Sequence, residues 1–251
     1  SFTAIFLLMF DIRLMQRLSA ETASLSKSGE QASSVLPQTK ALMEEKEKLA
    51  KLEKSLDVSL ETGSIGFSTG LNEVPGSYGS FEELIALCRV VRKHDGFYTS
   101  HLRDYKFRIL EAVDEALELG RVTGVPVQLS HLQTVGSKNW DKMDSVLELI
   151  EKAEREGVAV GIDAYPYLAG SANITQALPD WALEGGSQDL LKRLASETTR
   201  RQIARETEAQ MANTWSDIFV ANVDSKENQY CIGKSIQEIA VARQLEPIEA
   251  A

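Results

Sequence analysis

Two short apolar runs in this chain end on the same tripeptide, Ser-His-Leu, and a single helix-length segment separates them. They lie in the stretch Gly96–Gln133, GFYTSHLRDYKFRILEAVDEALELGRVTGVPVQLSHLQ. Phe97–Ser100 and Val125–Ser130 read as strands. Between them Ile109, Leu110, Val113, Ala116 and Leu117 recur at helical spacing. The connection is too long for a hairpin and carries its own helix, so the two strands are expected to be parallel neighbours. His101 and His131 then leave the carboxyl ends of adjacent strands on one side of a sheet. In a (β/α) barrel that side is the catalytic face. Two imidazoles side by side supply half of the ligands of a zinc site.

The rest of the chain fits the same rhythm. Residues 2–9, FTAIFLLM, are shorter than the ~20 apolar residues of a membrane span and are expected to form a buried strand or helix. Residues 19–39 read as a loop or weakly held helix. Leu42, Leu49, Leu52 and Leu56 mark an amphipathic helix through a Glu/Lys-rich stretch. Ser64–Ser68 reads as a strand, followed by the loop TGLNEVPGSYGS, with Gly70, Pro75 and Gly76 as breakers. Ser80 is an N-cap, and Glu82 and Glu83 place acids in the first turn of a helix running to about Lys93. His94, at that helix end, is favourable there as a cation and is on the wrong side of the unit to be a ligand. Asn139–Gly157 reads as a helix with Met143, Val146, Leu147 and Ile150 on one face. Val158–Asp163 is the next strand, and the loop AYPYLAGSANITQALPDW follows. Leu190 to about Met211 is a charged helical segment, Asp217–Val223 a strand, and Ser235–Arg243 a short helix. Alternating strands and helices mean parallel α/β, either a barrel or a doubly wound sheet. No GxGxxG follows a strand, and neither GxxxxGK[ST] nor GxSxG is present, so the nucleotide-binding sheet is the weaker choice.

A formal net charge of −10 and a pI near 5.0 argue against a nucleic-acid surface. Two cysteines give no disulfide framework and fit a reducing, cytoplasmic compartment. Cys88 sits among Leu84, Ile85, Leu87, Val90 and Val91 and is expected to be a buried structural thiol. The chain starts at Ser1 and stops on IEAA, so both ends are expected to be cut.

Several ordered blocks resemble the D-aminoacylases, the N-acyl-D-amino-acid deacylases of the amidohydrolase superfamily. They are GSIGFSTGL (63–71), VPGSYGSFEELIALCRVV (74–91), FYTSHLRD (97–104), LEAVDEALELGRVTGVPVQLSHL (110–132) and DAYPYLAGS (163–171), with LPDWALEGG (178–186) and ENQYCIGKSIQEIA (227–240) further on. The resemblance covers about residues 40–251, and residues 1–39 stay unassigned. It implies a metal-dependent (β/α)8 TIM barrel of the amidohydrolase type, here partial, with zinc as cofactor and an N-acyl-D-amino acid as small-molecule substrate. His101 and His131 match the family's two metal-ligand histidines on consecutive strands. Arg103 lies in its His-x-Arg-Asp element. Tyr165 and Ser171 match loop positions that line the substrate pocket.

The chain also departs from that pattern. None of its three histidines forms the His-x-His pair of the family's first strand, and Cys88 is not at the place of the metal-binding cysteine. The family's catalytic Asp, which carries the proton to the departing amine, is expected beyond the last residue. Glu73 stands where a Tyr is common. Gln133 stands where some relatives with acidic substrates carry Lys, so a neutral substrate side chain is favoured. Asp163 reads as a buried loop anchor before a catalytic acid, and Asp104 as a partner of Arg103 or a helix cap. Arg103 either clamps a substrate carboxylate or pairs with a nearby acid. Tyr165 is a candidate donor to the amide oxygen, and Tyr167 packs beneath the loop. Trp140 and Trp181 are expected to pack. The alternative to a deacylase is an inactive barrel-derived domain that binds a ligand or partner. Open sheet edges predict self-association.

Overall fold

The computed structural model describes residues 6–7 and 32–251. Five strands form one sheet: β1 (Phe6–Leu7), β2 (Gly66–Gly70), β3 (Phe97–His101), β4 (Val127–Leu129) and β5 (Val160–Ile162). Their order in space is their order in sequence, and every pairing is parallel. Helices α1 (Ala32–Glu61), α2 (Phe81–Lys93), α3 (Ile109–Thr123) and α4 (Met143–Arg155) connect successive strands. A parallel sheet that advances one strand at a time, with a helix at each step, has the order of a (β/α) barrel, whereas a doubly wound sheet reverses direction. The partial amidohydrolase-type barrel expected from the sequence is consistent with this architecture.

The helix periodicity is legible in the burial. Ile109, Val113, Ala116 and Leu117 of α3 are buried, as are Leu84, Leu87, Cys88, Val90 and Val91 of α2 and Leu52, Leu56 and Leu60 of α1. In α4 Val146 and Ile150 are buried, but Leu147 is 40% exposed, so the buried stripe is narrower than the sequence indicated. Ser80 caps α2, accepting from Glu83 N at 3.2 Å. His94 forms the C-cap and lies 2.7 Å from Asp57 of α1, which gives it a structural partner. Strand β2 begins two residues later than expected. α1 starts at Ala32, inside the stretch read as a loop or weakly held helix. The N-terminal apolar run contributes Phe6–Leu7 as a strand, and its other residues lie outside the described ones.

Alternation along the strands gives the sheet two unlike faces. Phe67, Tyr98, Val127 and Leu129 are buried, with Tyr98 bonded to Thr69 at 2.6 Å. Register places Ser68, Thr99, Gln128 and Gly161 in one row on the opposite face. That face is polar and leads upward to His101.

Glu83 is a buried carboxyl, 7% exposed, whose Oε2 has no hydrogen-bond partner. Burial raises its pKa to about 7, although the Ser80 backbone N–H partly opposes this. The folded protein thus holds this proton more tightly than the unfolded chain. The contribution is complete at low pH and is lost as pH rises through about 7. Glu83→Gln is expected to remove this dependence and to stabilise the protein above neutral pH by on the order of 2 kcal/mol. Urea melts at pH 5 and pH 8 check it; equal pH dependence in both proteins refutes it.

The chain divides into two compact units. The first holds the sheet and α1–α4; the second comprises Tyr105–Phe107, Gln133–Met143 and Tyr165–Ala251. In the second, the segment expected as one helix is two, α6 (Ser187–Ala195) and α7 (Glu197–Gln210), after a short α5 (Asp180–Leu183). Ser196 between α6 and α7 is extended, which interrupts the helical hydrogen bonding. Asp217–Val223 is not a strand. Its alternating Ile218 and Val220 pack on a small core of Cys231, Ile236 and Ile239. The partner segment is a tight turn that supports only an isolated antiparallel bridge, Phe219 with Ser235. Ser235 opens α8 (Ile236–Arg243) with a capping box to Glu238, and α9 (Pro247–Ala250) closes the described chain. Trp181 bonds Glu206 at 2.6 Å, whereas Trp140, expected to pack, is 67% exposed because it lies on the outer side of a 3-10 turn. Among the described residues no helix is long and apolar enough to cross a membrane.

Candidate metal-binding site

His101 is the last residue of β3, and His131 lies two residues past the end of β4. Parallel pairing of those strands brings both to the same sheet edge. Their imidazoles meet: His131 Nε2 lies 2.6 Å from His101 Nδ1, and the ring centroids are 4.3 Å apart in an edge-to-face arrangement. One ring N–H donates to the lone pair of the other. The same convergence of two nitrogens on one point is what imidazole ligation of a cation requires. Burial pushes the His101 pKa below its ordinary value and His131 adds to this, while Glu73 and Asp163 act in the opposite direction. The net effect keeps His101 neutral, the form in which it binds metals.

The loop after β2 forms part of this edge. Leu71 N donates to His101 O at 3.0 Å, which continues the β2–β3 ladder past Gly70. Arg103 ties the same loop down. Its Nε and Nη2 form a two-pronged ion pair with Glu115 of α3, at 2.9 and 2.8 Å. Nη1 donates to Ser77 O at 2.8 Å and Nη2 to Gly79 O at 3.0 Å. A substrate carboxylate meeting Arg103 competes with these partners. Asp104, expected either to partner Arg103 or to cap the helix, accepts from Arg108 N at 3.1 Å just before α3.

Asp163 is a loop anchor as anticipated, but an exposed one. Oδ1 accepts from His131 N and Oδ2 from Gln128 Nε2, each at 2.7 Å. In the second unit Tyr165 Oη donates to Gln133 Oε1 at 2.6 Å, so two positions singled out separately in the sequence are partners. Ser171 is exposed, and Tyr167, expected to pack, is 74% exposed. Gln128 escaped the sequence reading; its only signal was a polar residue inside an apolar strand.

A closed zinc site has about four ligands, and a catalytic one about three plus water. His101 and His131 fit two of those places. Among the described residues, no group of three or more His, Cys, Asp or Glu could hold a metal ion.

The chain is homologous to deacylases of N-acyl-D-amino acids over about half its length. It is 37% identical over 131 residues to a D-aminoacylase of Alcaligenes xylosoxydans, covering 52% of this chain and 27% of that protein. It is 41% identical over 123 residues to an N-acyl-D-glutamate deacylase of the same organism, covering 49% and 25%. Among solved structures it resembles the N-acyl-D-glutamate deacylase of Bordetella bronchiseptica, complexed with zinc and a phosphonate mimic of the tetrahedral intermediate. The TM-score is 0.62 and the identity 28%, over 80% of this chain and 35% of that one. The chain thus spans roughly a quarter of the relatives' sequences. No family model matches it.

Proposed function

We propose that this chain is part of a zinc-dependent amidohydrolase that cleaves the amide bond of N-acyl-D-amino acids, with residues 40–251 contributing to its barrel domain. The observation that carries this reading is the converged imidazole pair at the ends of adjacent parallel strands, in a chain homologous to such deacylases. His101 and His131 serve as two of the metal ligands. A zinc ion, when bound, lowers the pKa of its water to roughly 7 and polarises the amide carbonyl. Tyr165 and Ser171 line the substrate pocket. Arg103, two residues after His101 in the chain, meets a substrate carboxylate only by exchanging Glu115 for it. The proton shuttle is assigned to no acid of this chain. A neutral substrate side chain is favoured, since Gln133 carries no charge and is engaged by Tyr165.

The decisive experiment is zinc content by elemental analysis of the purified protein, paired with release of free D-amino acid from N-acetyl-D-leucine. Stoichiometric zinc with hydrolysis supports a deacylase. Folded, zinc-free and inactive protein favours the second reading, a barrel-derived binding domain, which the two-ligand cluster also fits.

Self-association is part of the proposal. Among the described residues β5 pairs only with β4, and its Ile162 is 52% exposed. A parallel edge strand with free N–H and C=O groups and an apolar side chain templates pairing. Concentration-dependent sedimentation is expected, and Ile162→Lys is expected to reduce it. A wild-type monomer at all concentrations sinks this part.

A further inference from the structure

We propose that Asp163 is a positioning residue for His131, and that Gln128 and Gly161 are shaped to serve it. His131 has φ +36°, a backbone conformation that L side chains rarely adopt, so its ring direction depends on what holds the main chain there. Asp163 grips that turn on every side. Its Oδ1 accepts from His131 N at 2.7 Å and its carbonyl from Leu132 N at 2.8 Å, while its own N–H donates to Leu129 O at 3.3 Å. The residues before, at and after the turn are all held from one position, the residue that follows β5.

The carboxylate is itself held. Oδ2 accepts from Gln128 Nε2 at 2.7 Å, so both oxygens are committed. Gln128 reaches it by lying across the polar face of the sheet over Gly161, its register partner. A Cβ at Gly161 would collide with Gln128 Oε1. The missing side chain at 161 therefore leaves the path that Gln128 occupies. The clamp rests on the metal-binding reading above for its purpose, but its geometry exists without metal and is testable without it.

The chain has only three histidines, so their side-chain resonances are separable by NMR. In metal-free wild type, a ring-to-ring nuclear Overhauser contact between His101 and His131 is expected, with the His131 amide proton shifted downfield by its carboxylate acceptor. Asp163→Ala is expected to lose both. Asp163→Asn, which keeps an acceptor oxygen, is expected to restore both. A structural role alone would lower the Tm of the alanine variant and leave the ring contact in place. Retention of contact and amide shift in folded Asp163→Ala overturns the proposal. Should that variant not fold, Gly161→Ala decides: the atoms nearest the new methyl are the flexible end of Gln128, and the substitution is expected to move the His131 amide upfield at nearly unchanged Tm. An unmoved amide overturns it. Zinc-free protein with the clamp intact fails the deacylase reading alone, whereas zinc-loaded Asp163→Ala with a wild-type ring contact fails the clamp alone.

Discussion

His101→Ala and His131→Ala are each expected to reduce zinc retained after dialysis to background, and the double variant to lose no more than either. Each imidazole is one of the three to four ligands that hold zinc, so removing either leaves the site a ligand short. The loss is therefore non-additive, as it is for any pair that acts as a unit. The same substitutions are expected to leave the stability of metal-free protein within about 1 kcal/mol. They delete a single half-buried hydrogen bond between two imidazole rings. Zinc content and urea melts on the four proteins test both halves. Wild-type zinc content in either single variant shows that the pair is not the site.

Arg103→Met is expected to show the reverse pattern, a large loss of stability of about 2–3 kcal/mol. The guanidinium and the Glu115 carboxylate are 26% and 19% exposed, so they are incompletely screened by water. Removing the cation leaves Glu115 on α3 without its two-pronged partner, and two carbonyls of the loop after β2 lose their donor. A double variant, Arg103→Met with Glu115→Leu, is expected to recover much of the loss, because replacing both members of such a pair by apolar groups removes the stranded charge. A single variant as stable as wild type overturns this structural role for Arg103.

The strand–helix–strand unit around His101 and His131 was legible because its periodicities are strong and its two ends repeat. A 2-residue period changes to a 3.6-residue period and back, and that sequence of periods admits few folds other than a parallel pair. The caps at Ser80 and Ser235 were legible for the same reason, since a local hydrogen bond needs only local residues. Asp217–Val223 failed because its alternation is a property of the segment, whereas a strand is a property of two segments, and its neighbour is a tight turn. The break at Ser196 failed because no Gly or Pro marks it.

The sequence by itself determined the parallel α/β architecture and the side of the sheet on which the histidines emerge. Both follow from chain connectivity and strand direction, which are encoded locally. Only the tertiary structure decided what each site residue touches. Arg103 had an acid at the next position and another twelve residues on, and the fold selected Glu115 over Asp104. Asp163 had no sequence feature linking it to His131 thirty-two residues earlier; the β4–β5 register made that link. Partners of polar side chains are set by which strands and helices come to lie side by side, and distance along the chain does not carry that information.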